Sequence, residues 1–179
     1  MELYNLEKLI VEQNPHWITK SLGSIGRKRD SFADFCHELL KKKLIITLSG
    51  PRRVGKTFLL KQSINWLIDT RHIHAQNILY FQFSGSQNDK NIIHQIIDLF
   101  LTKYADGSPK YIFFDEVQYI DYWQDQIKQS YDLLKNIKFV VSGSTTLFYH
   151  QKSHESLAGR IIKLKLGVLN FAEYLRFKG

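Results

Sequence analysis

Little in this chain of 179 residues suits life outside a cell or inside a membrane. A single cysteine, Cys36, allows no disulfide within the chain and no thiolate cluster for a metal. Nowhere do 18 apolar residues follow one another. The amino-terminal stretch MELYNLEKLIVEQNPHW has acids where a secretion signal has a basic and then an apolar region. A reducing, cytoplasmic setting is the reading, with no membrane partner. Prolines number three, no block of six like charges occurs, and neither an internal repeat nor a low-complexity tract is present. Solenoids, proline-rich spacers and polyelectrolyte tails are thereby set aside.

What is present is 44% hydrophobic and 13% aromatic, enough for one well-filled domain. The net charge of +8 suits an anionic partner: a nucleotide, a nucleic acid or an acidic protein surface. Its excess is too modest to choose among them.

Hydrophobic periodicity gives the outline. A short helical pattern, then Asn14-Pro15 and the loop SLGSIGRKRD, precede a helix over 31–41 capped at Asp30 or Ser31. Lys41-Lys42-Lys43 close it as a solvated, dipole-compatible terminus. From LIITLS onward, apolar β-rich runs alternate with helical ones: helix KTFLLKQSINWLID, strand ILYFQF, helix NIIHQIIDLFLTKYA and strand YIFF. A helix carrying Ile120, Trp123, Ile127, Tyr131 and Leu134 in register follows, then strand KFVVS, a shorter helix near 146–157, strand RIIKLKL and the helix opened by NFAEYLRF. Continuous apolar strands alternating with helices predict a three-layer α/β domain with a mainly parallel, five-stranded sheet. Residues 1–30 are read as an N-terminal helix and nucleotide-proximal loop, and 31–179 as the core.

The densest chemistry lies at residues 50–57, GPRRVGKT, between a strand and a helix. This is the phosphate-loop pattern, with Gly50, Pro51, Arg52, Arg53, Val54, Gly55, Lys56, Thr57 and Phe58 as the nucleotide-binding set. Gly50 and Gly55 let the backbone bend around phosphates and turn N–H groups toward them. Lys56 sets a cation on the β- and γ-phosphates, and the Thr57 hydroxyl is a Mg²⁺ ligand.

A second constellation is YIFFDEVQ, residues 111–118. Ligands of open parallel sheets bind at the carboxyl ends of the strands. There Asp115 holds Mg²⁺ through water, and Glu116 polarises the water that attacks the γ-phosphoryl group. A third is FVVSGSTTLF, residues 139–148, whose Ser142 and Ser144 hydroxyls sense the γ-phosphate or place the water if that strand neighbours the other two. The other reading of these serines is plain turn and capping material. An extra strand between the phosphate loop and the acid pair resembles the branch of such proteins with an inserted strand and a catalytic glutamate. The guanine-reading pattern Asn-Lys-x-Asp is missing, which favours ATP over GTP. His150 and His154, four apart, lack a third ligand at a metal-binding spacing.

Taken together, GPRRVGKT, FDEVQ with Trp123 after it, VVSGSTT and ESLAGRIIKLKLGVLNFAEYL resemble the ATPase domain of a large bacterial and archaeal AAA-type family. The likeness runs over nearly the whole chain, EQNPHW and IGRKRD included. It implies an AAA-like P-loop fold and Mg²⁺-dependent ATP binding and hydrolysis; a homo-oligomer is what an arginine supplied from a neighbour would require. It also implies a C-terminal region beyond Gly179, often nuclease-like in such proteins. It makes Arg160 a γ-phosphate or interprotomer contact, against the alternative of a strand-edge ion pair. Two other functions stay open: a nucleotide switch with little turnover, and a basic nucleic-acid-binding module with a vestigial loop.

Overall fold

In the computed structural model, residues 3–41, 44–85, 89–107, 109–145 and 157–178 are described. Helix α1, Leu3–Gln13, and the single turn α2, His16–Thr19, lead to α3, Phe32–Leu40. Strand β1, Ile45–Ser49, and helix α4, Lys56–Asp69, flank the phosphate loop. Next come β2, Ile78–Gln82; α5, Ile92–Lys103; β3, Lys110–Asp115; α6, Trp123–Leu133; β4, Ile137–Gly143; β5, Ile161–Lys165; and α7, Phe171–Lys178. The expected helix near 146–157, with His150 and His154, lies almost wholly outside the described residues, as do Lys42 and Lys43.

The sheet has five strands in the order β2-β3-β4-β1-β5, and every pairing is parallel. Strand β4 therefore sits between the phosphate-loop strand and the acid-bearing strand. Period-two alternation divides the core. Leu79, Phe81, Ile112, Phe114, Phe139 and Val141 face α1, α5 and α6, while Ile78, Tyr80, Tyr111, Phe113 and Val140 face α3 and α4. Both faces are apolar, as a parallel sheet covered on two sides requires.

An edge strand exposes unpaired backbone groups. Here EQNPHW covers the edge of β2. Asn14 is buried: its Nδ2 donates to Tyr80 O at 2.8 Å, and its Oδ1 accepts from Tyr80 N at 2.7 Å. Gln13 pairs in the same two-way fashion with the backbone of Gln82, and Trp17 Nε1 donates to Ile78 O at 2.8 Å. His16 Nε2 also donates to that carbonyl, and burial pushes its imidazole down to about 4. It is held as a neutral ring.

Two sequence expectations need correction. No side chain caps α3: Ser31 has no cap hydrogen bond, and the Asp30 carboxylate is drawn instead to Arg176 and Asn170 of the carboxyl-terminal segment. Helix α6 begins at Trp123 rather than at Ile120, because residues 117–119 form a separate 3-10 turn. Ile120 is nonetheless buried beneath it.

Candidate functional site

The same alternation builds the site. Residues 80, 115 and 142 have the parity of the α4-facing side on three adjacent strands, so their polar groups converge where α4 begins. The Asp115 side chain is fully buried and forms no ion pair among the described residues; hydroxyls surround it instead. Thr57 Oγ1 donates to Oδ2 at 2.6 Å and Tyr80 Oη to the same oxygen at 3.0 Å. Ser142 Oγ donates to Oδ1, and Glu116 N reaches Oδ1 at 3.1 Å. Burial, then the neighbouring carboxylate, pushes the Tyr80 phenol well up, so it stays a donor. A carboxylate and a hydroxyl at the start of α4 are the hard oxygen donors that Mg²⁺ takes, with phosphate oxygens and water completing its shell. Among the described residues no group of three or more His, Cys, Asp or Glu gathers to hold a metal alone.

The loop closes around Lys56, which is 4% exposed and donates from Nζ to Gly50 O and Pro51 O, each at 3.0 Å. Gly50 has to be glycine, since a Cβ there would lie 2.2 Å from Leu166 O. Gly55 adopts φ +97 at the helix start, a left-handed conformation that other residues reach only with strain. Arg53 is in the same region, at φ 64, while Arg52 is exposed.

Two hollows flank the loop. One, of about 400 Å³, is lined by Gly26, Arg27, Val54, Phe58, Val168 and Phe177 and is almost wholly apolar, fit for a planar base. Gln62 holds its roof, donating from Nε2 to Ile25 O at 2.6 Å and to Arg27 O at 3.2 Å. The other, an open cleft of about 860 Å³, has Arg52, Arg53, Gln82, Glu116 and Tyr119 on its walls. Glu116 is left-handed at φ 57, and Gln118 Nε2 donates to its Oε2.

Arg29 ties the loop to the end of the chain. Its Nη1 donates to Val54 O at 2.9 Å. Its Nε and Nη2 donate to Glu173 Oε1 and Oε2 at 2.7 and 2.9 Å. Glu173 is 2% exposed and also accepts from the backbone N–H groups of Asp30 and Asn170. These bonds, the guanidinium first, hold its carboxyl at about 2.

The structure thus brings together Gly50 through Phe58, Asp115, Glu116 and Ser142. Ser144 stands one residue beyond β4, its N–H donating to Gln118 Oε1 at 3.2 Å. Arg160 does not join them. It precedes β5 at the amino end of the sheet, opposite the loop, and pairs bidentately with Asp132 at 2.9 and 3.2 Å. A five-residue strand separates the two ends by roughly 16 Å, so Arg160 cannot touch a phosphate held by its own loop. In the sequence Tyr80 is one more apolar-run residue of the strand ILYFQF, and Gln118, Gln62 and Glu173 have no assigned role. Gln118 and Glu173 carried a signal, as the last letter of FDEVQ and as part of LNFAEYL.

The sheet order, the loop and the acid pair together define an ATP-binding P-loop domain of α/β architecture. A family model described as an AAA domain matches residues 42–175, and the chain belongs to that family. An uncharacterised protein of Methanocaldococcus jannaschii is 29% identical over 79% of this chain and 30% of its own length. An uncharacterised protein of Haemophilus influenzae is 30% identical over 75% of this chain and 34% of its own. The chain therefore spans about a third of these curated relatives. A DNA polymerase III gamma subunit-related protein of Thermotoga maritima has a similar fold, with a TM-score of 0.57 and 12% identity over 82% of this chain and 48% of that one. No helix among the described residues is long and apolar enough to cross a membrane.

Proposed function

We propose that the domain binds Mg-ATP and hydrolyses it, driving or gating an attached or partner module. The observation that carries this is the Thr57–Asp115 contact of 2.6 Å at the loop's exit, with a second carboxylate, Glu116, next in the chain. The Gly50–Thr57 loop takes the phosphates, and the hollow against Phe58 takes the base. Thr57 and Asp115 would hold Mg²⁺, which supplies charge neutralisation on the phosphates.

Glu116, on the wall of the open cleft, accepts a proton from the water whose oxygen bonds to the γ-phosphorus. The bond from that phosphorus to the β,γ-bridging oxygen breaks, and ADP leaves with the electron pair. Ser142 orients Asp115 rather than meeting a phosphate directly. A part for Arg160 needs a second copy of the chain to present it to this site. A cytoplasmic setting fits the single buried thiol, Cys36. A nucleic-acid partner fits the net charge of +8 and is a separate proposal.

The test is ATP titration together with phosphate release. Glu116→Gln is expected to keep ATP affinity and lower turnover at least ~100-fold, while Lys56→Ala loses affinity itself. Unchanged turnover in Glu116→Gln would sink the assignment of the base. Binding with no turnover in the wild-type chain would favour a nucleotide switch instead.

A further inference from the structure

We propose that Gln118 is the positioning residue for Glu116, and that it carries the position of the β4 end to the catalytic carboxylate. The proposal rests on the hydrolase reading above and assigns the residue that aims its base.

The Gln118 amide is held at both ends by partners that leave it no freedom to flip. A carboxylate oxygen only accepts, so Glu116 Oε2 must face the Nε2 side. A backbone N–H only donates, so Ser144 N, at 3.2 Å, must face Oε1. The turn that presents the amide is itself pinned. Val117 and Ile120 are buried on either side of it, and Tyr119 N donates to Glu116 O at 3.2 Å.

Glu116 needs such support because its backbone is left-handed at φ 57. That conformation is strained for a non-glycine residue and persists only where the surroundings impose it. With Oε2 engaged by Gln118, Oε1 has no hydrogen-bond partner among the described residues. It is the oxygen available to a water in the cleft lined by Arg52, Arg53 and Tyr119.

Ser144 follows Ser142 by two residues, and Ser142 bonds Asp115. A shift of the β4 end therefore reaches both acids at once: Asp115 through a hydroxyl, Glu116 through the amide. Metal-site and active-site partners of this kind typically change activity 10–100-fold when removed.

The experiment measures ATP turnover, ATP affinity and melting temperature on the 179-residue chain carrying Gln118→Ala, Gln118→Glu, Glu116→Gln and the double substitution Glu116→Gln/Gln118→Ala. Gln118→Ala is expected to lower kcat at least tenfold with ATP affinity within about twofold of wild type. Gln118→Glu keeps the shape and the acceptor for Ser144 N but loses the donor to Glu116. It should fail equally, and it serves if the alanine variant does not fold. Added to Glu116→Gln, Gln118→Ala should cost nothing more, because the group it aims is already gone.

Wild-type kcat in both single variants overturns the proposal. So does a parallel fall of kcat, affinity and melting temperature, or an additive loss in the double variant. A wild-type chain that binds ATP but releases no phosphate overturns the hydrolase reading and this proposal with it.

Discussion

Two buried carboxylates, Asp115 at the end of β3 and Glu173 in α7, each reach the phosphate loop, the first through Thr57 and the second through Arg29, and their surroundings differ in kind. Among the described residues Asp115 has three hydroxyls and a backbone N–H but no ion-pair partner, whereas Glu173 is clamped by the Arg29 guanidinium and two backbone N–H groups. A buried carboxylate without a counter-ion is costly, and hydroxyls repay only part of that cost. On the proposed function, a metal and phosphates would supply the positive partner and the ligand that this charge lacks. Glu173 has its compensation inside the chain, so its product is rigidity: it joins the 21–30 loop, the phosphate loop and α7. On that reading one carboxylate serves a ligand and the other the fold.

The difference predicts opposite behaviour on neutralisation. Asp115→Asn is expected to cut Mg-ATP turnover on the order of 10³-fold with a melting temperature equal to or above wild type; a clearly lowered melting temperature would mean that Asp115 is structural. Glu173→Gln leaves the Arg29 charge buried and unpaired and should destabilise the domain by about 3 kcal/mol in denaturant titration. Because the folded pKa is depressed to about 2, the clamp's contribution is complete above about pH 4.5 and fades as pH falls toward 2. The stability gap between wild type and Glu173→Gln should shrink over that window; a gap constant with pH would break the assignment. The smallest effect is expected at Arg160. It is a partly exposed ion pair at the far end of the sheet, and Arg160→Ala should cost less than about 1 kcal/mol. Its turnover, followed against protein concentration, separates a surface pair from an arginine lent to a neighbour.

Much of this was legible in the chain. Runs such as LIITLS and YIFF are apolar at every position because both faces of the sheet are covered, and the phosphate loop announces itself through glycine spacing and a lysine. Legibility failed where a residue's role depends on register between strands distant in sequence. Tyr80 looks like any aromatic of ILYFQF until β2 is set beside β3, where its hydroxyl meets Asp115. Arg160 shows the other limit. Its motif could not choose among a γ-phosphate contact, a contact to a neighbour and a strand-edge ion pair; the pairing Ile45↔Ile161 rules out the first within one chain, and Asp132 supplies the ion pair. EQNPHW was recognisable without a reason. The reason is the bare edge of β2, visible only once the sheet order is known. Glu173 stands inside the recognised segment LNFAEYL, but nothing there points to its partner, 144 residues away.

The Lys56 ammonium has three protons, and the carbonyls of Gly50 and Pro51 take two of them. A lysine is commonly thought of as a mobile point charge on a long tether. Here its valence is two-thirds committed before any anion arrives, and the direction of the remaining N–H is fixed by the chain's own backbone. The Lys56 side chain is therefore a single aimed donor carrying a full charge, beside whatever backbone N–H groups the loop presents. A guanidinium, with its five N–H bonds spread in one plane, could not reproduce that tripod.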